Sequence, residues 1–206
     1  FYKQVQAHYD LSNDFFALFL DSSMTYSCAY FARDNMSLHE AQLAKIDLSL
    51  GKCDLPRKAE SSNAAVTTTP TATRMKLLDI GCGWGATARR AVENFNVDVI
   101  GLTLSKEQHA LITQSIANTA NHIDFRLQGW EEFTEPVDRI ISIGAFEHFR
   151  AERYEAFFTR AFSLLPRGGR MMLHTIVQPD INELRQRGIV VDHEAVTFAK
   201  FICKNI

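Results

Sequence analysis

An alternation of apolar and helical runs, which begins near Lys76, constrains the fold of this chain more than any other feature of its sequence. The apolar runs read MKLLDI, VDVIGL, IDFRL, DRIISI and RMMLHTIV, and helix-favouring stretches such as TARRAVENF and YEAFFTRAFSLL stand between them. Strands that alternate with helices pack as a mostly parallel sheet with helices on both faces. The sequence therefore predicts an α/β core with five strands, and a ligand site beyond their carboxyl ends.

The N-terminal residues have a helical pattern instead. The run LSNDFFALFL at 11–20 predicts a short helix with a very apolar face, which serves either as a lid or as part of the core. Further on, Ser37 is followed three residues later by Glu40, which is a capping box. It predicts a helix that continues to Leu50.

Residues 56–76 interrupt these patterns with a stretch rich in Ser, Thr, Ala and Pro and poor in large apolar side chains. Such a stretch cannot bury enough apolar surface to offset the entropy of ordering it, so we expect a flexible insertion before the core at 77–206. The chain ends at Ile206 inside a helical pattern without a stop signal. We therefore expect the core to be incomplete.

Composition limits the classes of function. Hydrophobic residues make up 46% and charged residues 22% of the 206 residues, and the net charge of −2 disfavours a nucleic-acid binder. No run approaches the roughly 18 apolar residues of a transmembrane segment. The four cysteines lack metal-site spacing, so we expect no metal, and we expect free thiols in a reducing compartment, the cytoplasm. They are Cys28, Cys53, Cys82 and Cys203.

The run LLDIGCGWG predicts a cofactor loop at the end of the first strand. Gly81, Gly83 and Gly85 allow a tight turn and a close approach of the backbone to a ligand. Their G-x-G-x-G spacing differs from the dinucleotide fingerprint. Asp79 suits the cationic amine of S-adenosylmethionine (SAM), whereas it would repel a pyrophosphate. The alternative is a plain strand-to-helix turn in which Asp79 caps the helix.

The ends of the next two strands add four candidates. VIGLTLSKEQ offers Thr103 and Gln108 as polar groups for ribose hydroxyls, although Ser105 and Gln108 also form a capping box. QGWEEF offers Trp130 as a flat surface for adenine and Glu131 as an acceptor for its exocyclic amine. A tryptophan after a strand is also commonly a core residue.

Taken together, these motifs resemble the cyclopropane fatty-acid and mycolic-acid cyclopropane synthases. The resemblance runs through VQAHYDLSNDFF, TYSCAYF, LDIGCGWG, GLTLSKEQ, GWEEF, AFEHF and MLHTIV, which span nearly the whole chain outside the insertion. It implies a Rossmann-like class I SAM-dependent methyltransferase fold, with residues 1–55 as an N-terminal helical lid or substrate segment. It also implies methyl transfer to a cis double bond of a carrier-bound acyl chain, where the carrier is an acyl carrier protein or a phospholipid.

The resemblance also implies roles for individual residues. Cys28, Glu147 and His174 would line the reaction centre and hold a bicarbonate ion. An alkene that attacks the sulfonium methyl group becomes a carbocation, and ring closure then requires a base. A bound anion can stabilise that charge and accept the proton. The cofactor would be surrounded by Tyr26, Ser27, Gly81, Gly83, Thr103, Gln108, Trp130, Glu131 and Ile143.

Alternative interpretations stay open. Cys28 can also be a structural thiol, Glu147 a helix cap and His174 a core histidine. Gly144 stands where the family usually has an acidic residue, and the family continues beyond Ile206 with further strands and a tyrosine for the bicarbonate. A truncated, inactive paralogue that at most binds SAM is therefore one alternative. A small-molecule N-methyltransferase is another, although TYSCAYF and the histidine argue against it, because nitrogen methylation generates no carbocation.

Overall fold

A sheet of five parallel strands in the order β3-β2-β1-β4-β5 forms the centre of the described part of the chain. The computed structural model describes residue 10, the ranges 12–58, 74–115, 122–177 and 180–189, and residue 197. The predicted five-stranded α/β core is confirmed. The strands are β1 (Met75–Ile80), β2 (Val97–Thr103), β3 (Ile123–Leu127), β4 (Arg139–Ile143) and β5 (Arg170–His174).

Helices precede and connect these strands. The helix predicted after Ser37 is confirmed with both halves of its capping box: Ser37 Oγ accepts from the Glu40 backbone N–H at 3.3 Å, and Glu40 Oε2 accepts from the Ser37 backbone N–H at 2.7 Å. Among the described residues, no helix has the length and apolar character that a membrane span requires. The helices are α1 (Asn13–Ala17), α2 (Leu38–Lys52), α3 (Ala86–Asn94), α4 (Lys106–Ser115), α5 (Tyr154–Leu164) and α6 (Ile181–Gln186), with 3-10 turns at Phe146–Phe149 and Ala151–Arg153.

The sheet is buried on both faces. Leu77 and Leu78 are neighbours in β1 and fully buried, and they face opposite sides because successive side chains of a strand alternate. Leu77 belongs to a core cluster that includes Ile46 of α2 and Ile112 of α4, whereas Leu78 belongs to a second cluster with Phe157 of α5. Burying each such side chain contributes about 1.5–3 kcal/mol to folding. The fold therefore has three layers.

Polar contacts fix α2 on the first face of the sheet. Both terminal carboxylate oxygens of Asp47 in α2 accept hydrogen bonds from Arg90 of α3 at 2.7 Å. At the C-terminal end of α2, the Cys53 carbonyl accepts a hydrogen bond from Arg139 Nε at 2.7 Å. Arg139 is buried in β4, so this contact ties the end of α2 to the sheet.

The stretch 56–76 is described only at its two ends. Arg57 forms an isolated antiparallel bridge with Phe95, and β1 begins at Met75. Residues 59–73 lie outside the described residues. The flexibility of the insertion and the division of the chain into three segments therefore stay predictions.

Candidate active site

A deep cavity lies at the carboxyl ends of β1, β2 and β4. About 1030 Å³ of space that no protein atom fills lies within it, including open solvent at its mouth. Its walls come from the loops that follow the strands and from the segment before α2. Nine predicted residues line it: Tyr26, Ser27, Asp79, Gly81, Gly83, Thr103, Gln108, Trp130 and Ile143. The other five predicted residues lie outside this lining: Gly85, Glu131, Cys28, Glu147 and His174.

The glycine loop after β1 has a backbone that favours glycine at each of its three positions. Gly81, Gly83 and Gly85 have φ angles of +80°, +54° and +80°, in the left-handed region. A Cβ at Gly81 would come within 2.4 Å of the Ala145 Cβ, whereas a Cβ at Gly83 would meet nothing within 4 Å. Gly83 therefore turns a bare backbone toward open space in the cavity.

Asp79 is a buried carboxylate in this wall. Its exposed fraction is 2%, and its Oδ2 has no hydrogen-bond partner among the described residues. Burial raises the pKa of Asp79 to about 7, because a carboxylate loses hydration when it leaves water. The alternative role as a helix cap has no support, since α3 begins after Gly85 without a side-chain cap. A cationic ligand group would satisfy this carboxylate.

The end of β2 carries side chains that hydrogen-bond within the protein, which we call the closed network: Thr103, Ser105 and Gln108. Thr103 Oγ1 donates to Gln108 Oε1 at 2.7 Å and accepts from the Ser105 backbone N–H at 3.2 Å. Ser105 Oγ in turn accepts from the Gln108 backbone N–H at 3.2 Å, as a helix cap does. The Gln108 side chain therefore turns to Thr103, and both line the cavity.

Trp130 and Glu131, which follow β3, have different surroundings. The buried Trp130 lines the cavity, and its Nε1 has no hydrogen-bond partner among the described residues. Glu131 instead forms an ion pair with Arg153, whose guanidinium also lies 5.7 Å from the centroid of the Trp130 ring. No motif in the sequence indicated this pair. The role of Glu131 toward adenine stays a prediction.

The segment that carries Tyr26 and Ser27 is held over the cavity by α2. Gln42 Nε2 donates to the backbone carbonyls of Thr25 and Ser27 at 3.2 and 2.8 Å, and Lys45 Nζ donates to Ser27 Oγ at 2.5 Å. Gln42 and Lys45 are both buried. Two polar residues of α2 therefore position the chain before it, and Lys45 also lines the cavity.

The residues of the predicted reaction centre lie outside the cavity lining, although their sequence neighbours Ser27 and His148 belong to it. Glu147 Oε1 accepts a hydrogen bond from the Ile176 backbone N–H at 2.6 Å. Glu147 Oε2 and His174 Nδ1 are buried without hydrogen-bond partners among the described residues, and Cys28 is exposed. Burial lowers the pKa of His174, and the charge of Lys45 lowers it further, while Glu147 acts in the opposite direction. Together with Asp79, Glu147 and His174 form what we call the open groups.

Several lining residues were not predicted from the sequence. Lys45 is the most unexpected, because a lysine in an amphipathic helix normally faces solvent. A usable sign was its place three residues after Gln42 on the same helical face. The other unpredicted residues include Trp84, Gln128 and His148. Within the described ranges, no group of three or more His, Cys, Asp or Glu side chains could hold a metal ion.

Comparison with known proteins gives close relatives. Cyclopropane mycolic acid synthase 3 of Mycobacterium tuberculosis is 52% identical over 204 residues, which are 98% of this chain and 66% of that protein. The solved structure of the cyclopropane synthase MmaA2 from Mycobacterium tuberculosis superposes with a TM-score of 0.85 at 48% identity, over 100% of this chain and 67% of that chain.

A second solved structure, mycolic acid cyclopropane synthase CmaA1 complexed with SAH and CTAB, superposes with a TM-score of 0.80 at 52% identity. The match covers 98% of this chain and 65% of that chain. This chain thus spans about two thirds of the length of these relatives. A family model described as mycolic acid cyclopropane synthetase matches residues 1–206, and the chain belongs to that family.

Proposed function

We propose that this protein transfers a methyl group from SAM to a cis double bond of a carrier-bound long acyl chain, such as a mycolic acid precursor or an unsaturated fatty acid. The product is a cyclopropane ring or a related methyl-branched chain. The observation that carries the proposal is the continuous cavity that joins the glycine loop, Trp130 and the Ser27 segment in a member of this family. The complex of CmaA1 with SAH supports the same assignment of the cavity.

The lining residues fit SAM in charge and shape. The orphaned carboxylate of Asp79 would accept hydrogen bonds from the cationic amine. Gly83 offers backbone to a ligand without a side chain in the way, and Trp130 offers a flat surface for the adenine. Thr103 and Gln108 would face the ribose. When bound, SAM supplies an electrophilic methyl group on a sulfonium.

The open groups after β4 and in β5 fit a bicarbonate ion as the base. Glu147 Oε2 and His174 Nδ1 are buried polar atoms that lack partners among the described residues, so an anion that carries a proton can hydrogen-bond to both. His174 Nδ1 would donate a hydrogen bond to the bicarbonate, and Glu147 Oε2 would accept a hydrogen bond from the bicarbonate O–H group. The alternative roles, a cap for Glu147 and a satisfied core histidine for His174, would leave these two atoms without partners. Cys28 would complete this site.

An apolar surface beside the cavity suits the acyl chain. The exposed rings of Phe15, Phe19 and Tyr26 form a contiguous aromatic group, and Phe16 joins it to Trp84 of the glycine loop at 4.9 Å between ring centroids. CmaA1 in complex with CTAB, a lipid-like detergent, supports a lipid substrate. We therefore propose residues 1–55 as a substrate segment and lid. We place the reaction in the cytoplasm, with an acyl carrier protein or a phospholipid as carrier.

Calorimetric titration of SAM and its demethylated product, S-adenosylhomocysteine (SAH), into the folded chain tests this proposal. We expect micromolar binding, and we expect Gly83→Val to abolish it by filling the space beside the loop backbone. Gly168→Val is the matched control, because Gly168 also has a left-handed φ, of +79°, and open space around it, but lies outside the cavity lining. Transfer of a labelled methyl group from SAM to an unsaturated acyl lipid then tests the reaction. A folded chain that binds neither nucleoside would overturn the proposal.

A further inference from the structure

Lys45 combines a positive charge with almost complete burial. Its exposed fraction is 3%, and it lies on the face of α2 that packs against the cavity, which it lines. Burial lowers the pKa of Lys45 to about 8, although the charges of Cys28 and Asp21 act in the opposite direction. At neutral pH the side chain therefore carries an ammonium charge in a wall of the cavity.

This ammonium has no carboxylate partner within 4.0 Å in the described part of the chain. Asp21 already accepts hydrogen bonds from the Ser23 and Thr25 backbone N–H groups and pairs with His39 Nδ1 at 2.8 Å. An uncompensated buried charge costs several kcal/mol. A protein keeps an uncompensated buried charge typically at a functional site, where a ligand supplies the opposite charge.

The contacts of Lys45 leave it free for a ligand. An ammonium has three donors, and the one contact to Ser27 Oγ uses one of them. The backbone of the same segment is held separately, because Gln42 donates to the carbonyls of Thr25 and Ser27. A neutral side chain at position 45 would therefore leave these backbone contacts intact. A structural role alone does not require the charge.

The cavity thus presents two buried groups that can carry opposite charges. Asp79 places a carboxylate in the wall at the end of β1, and Lys45 places an ammonium in the wall formed by α2. A zwitterionic amino-acid group carries the complementary pair, an ammonium and a carboxylate. Matching both charges would satisfy both side chains at once.

We propose that Lys45 binds a carboxylate-type oxyanion in this cavity, next to Ser27. The inference rests on the proposed function and names the residue of that site that recognises the anion. Two sources share this chemistry: the carboxylate of the amino-acid part of the cofactor, and a free bicarbonate ion. The charge pair with Asp79 favours the cofactor carboxylate. Lys45 is then a binding residue whose removal acts on one end of the ligand.

The test compares SAH with its methyl ester, which keeps the amine and loses only the charge of the carboxylate. We expect Lys45→Met to weaken SAH binding by about 10- to 100-fold in calorimetry and to change ester binding by less than about threefold. Lys45→Arg, which keeps the charge, should recover most of the SAH affinity. If Lys45→Met does not fold by circular dichroism, Lys45→Gln replaces it, because its amide can still donate to Ser27.

The other source gives a different pattern. If free bicarbonate is the anion, we expect the unaltered protein to broaden the NMR line of 13C-labelled bicarbonate. We then expect Lys45→Met to remove this broadening and to leave the affinities for SAH and the ester unchanged. Unchanged binding of all three probes overturns the inference, and so does an equal loss for SAH and its ester. Absence of SAH binding by the unaltered protein refutes the proposed function instead, so the two failures are distinguishable.

Discussion

The closed network and the open groups were both predicted from the sequence as parts of one site, but they are built differently. Thr103, Ser105 and Gln108 bond to one another, and each of these side chains has a partner within the protein. Asp79, Glu147 and His174 each keep a buried atom without a partner among the described residues. Unsatisfied buried polar atoms cost about 1–3 kcal/mol each, so a protein keeps them where something else binds. The fold itself supplies the partners of the first set, and we propose that a ligand supplies those of the second.

This difference separates side chains whose hydrogen bonds the fold supplies from side chains that keep a buried atom without a partner among the described residues. The closed network presents fixed acceptors and donors, which suits recognition of a ribose that never reacts. The open groups hold charge or protons, which suits an amine at Asp79 and a proton transfer at Glu147 and His174. Substitutions in the closed network should therefore change stability and affinity together. Substitutions among the open groups should change stability and affinity independently of each other.

The largest effect is expected at Glu147. Glu147→Gln keeps the shape and removes the charge, so methyl transfer to an unsaturated acyl lipid should fall about a thousandfold, while SAH affinity stays within about threefold. Rates with labelled SAM and calorimetry measure the two quantities. Glu132→Gln, at an exposed position, is the control and should change neither. Parallel losses of rate and affinity at Glu147 would contradict its assignment to the open groups.

Asp79 should show its burial in the pH dependence of stability. Its folded pKa of about 7 lies above the usual value of 3.8, so the folded state holds the proton more tightly. The stability that the Asp79 proton contributes is fully present below about pH 4 and is lost as the pH rises through 7. The loss amounts to up to about 4 kcal/mol in the free energy of unfolding. The stability measured by urea denaturation between pH 4 and 8 should therefore fall less steeply for Asp79→Asn than for the unaltered protein.

Asp79→Asn is also expected to change the affinity for SAH. Because the amide of Asp79→Asn carries no charge for the amine, SAH affinity should fall by about 10-fold or more even though the variant is more stable at neutral pH. Stability and affinity thus move in opposite directions. Unfolding free energies with the same pH slope for both proteins would show that Asp79 is not buried as described.

In the closed network, Thr103→Val should lower stability and affinity together. It removes the hydrogen bond to Gln108 and leaves the Ser105 N–H without that acceptor, which costs about 2 kcal/mol in the free energy of unfolding. SAH affinity should fall about tenfold. Thr113→Val removes an exposed hydrogen bond to the His109 carbonyl and is the control. Equal destabilisation by the two variants would argue against a closed network.

The smallest effect concerns Gly144, beside the Ser27 segment. Gly144→Ala places a Cβ at 3.1 Å from the Ser27 Cβ at a φ of +68°, and Gly168→Ala places one in open space at a φ of +79°. Both should lose about 1 kcal/mol of stability to backbone strain. Only Gly144→Ala should weaken SAH binding, by about threefold, because it displaces Ser27. If Gly144→Ala and Gly168→Ala bind SAH with equal affinity, the loop that contains Gly144 does not affect cofactor binding.

The strands were predictable because each is a short apolar run that both faces of the sheet bury. The run MKLLDI became β1 at Met75–Ile80 without a shift, and the glycine loop after it borders the cavity as the spacing indicated. The strand order was not predictable from these runs. Pairing of β1 with both β2 and β4 depends on contacts between residues far apart in the chain, such as Leu78 with Ile100 and Ile140.

The unpredicted parts of the site have the same physical origin. Glu131 pairs with Arg153, and Lys45 contacts Ser27, across 22 and 18 positions of sequence. Local pattern gives neither contact. The inner face of α2 is also unusual, since Gln42 and Lys45 are buried in it beside Ile46, so apolar periodicity alone would place both at the surface. Motif order across the chain predicted more of the site than any single residue.

The two tryptophans of the chain stand on different walls of the cavity. Trp84 donates from Nε1 to Asn13 Oδ1 at 2.7 Å beside Phe16, and Trp130 lies under the guanidinium of Arg153. An indole reports the polarity of its surroundings in the colour and intensity of its fluorescence. The protein therefore carries two intrinsic optical probes, one for the wall beside Asn13 and Phe16 and one for the wall beside Arg153. In a variant with either tryptophan replaced by phenylalanine, the fluorescence of the remaining one would report ligand binding at its own wall.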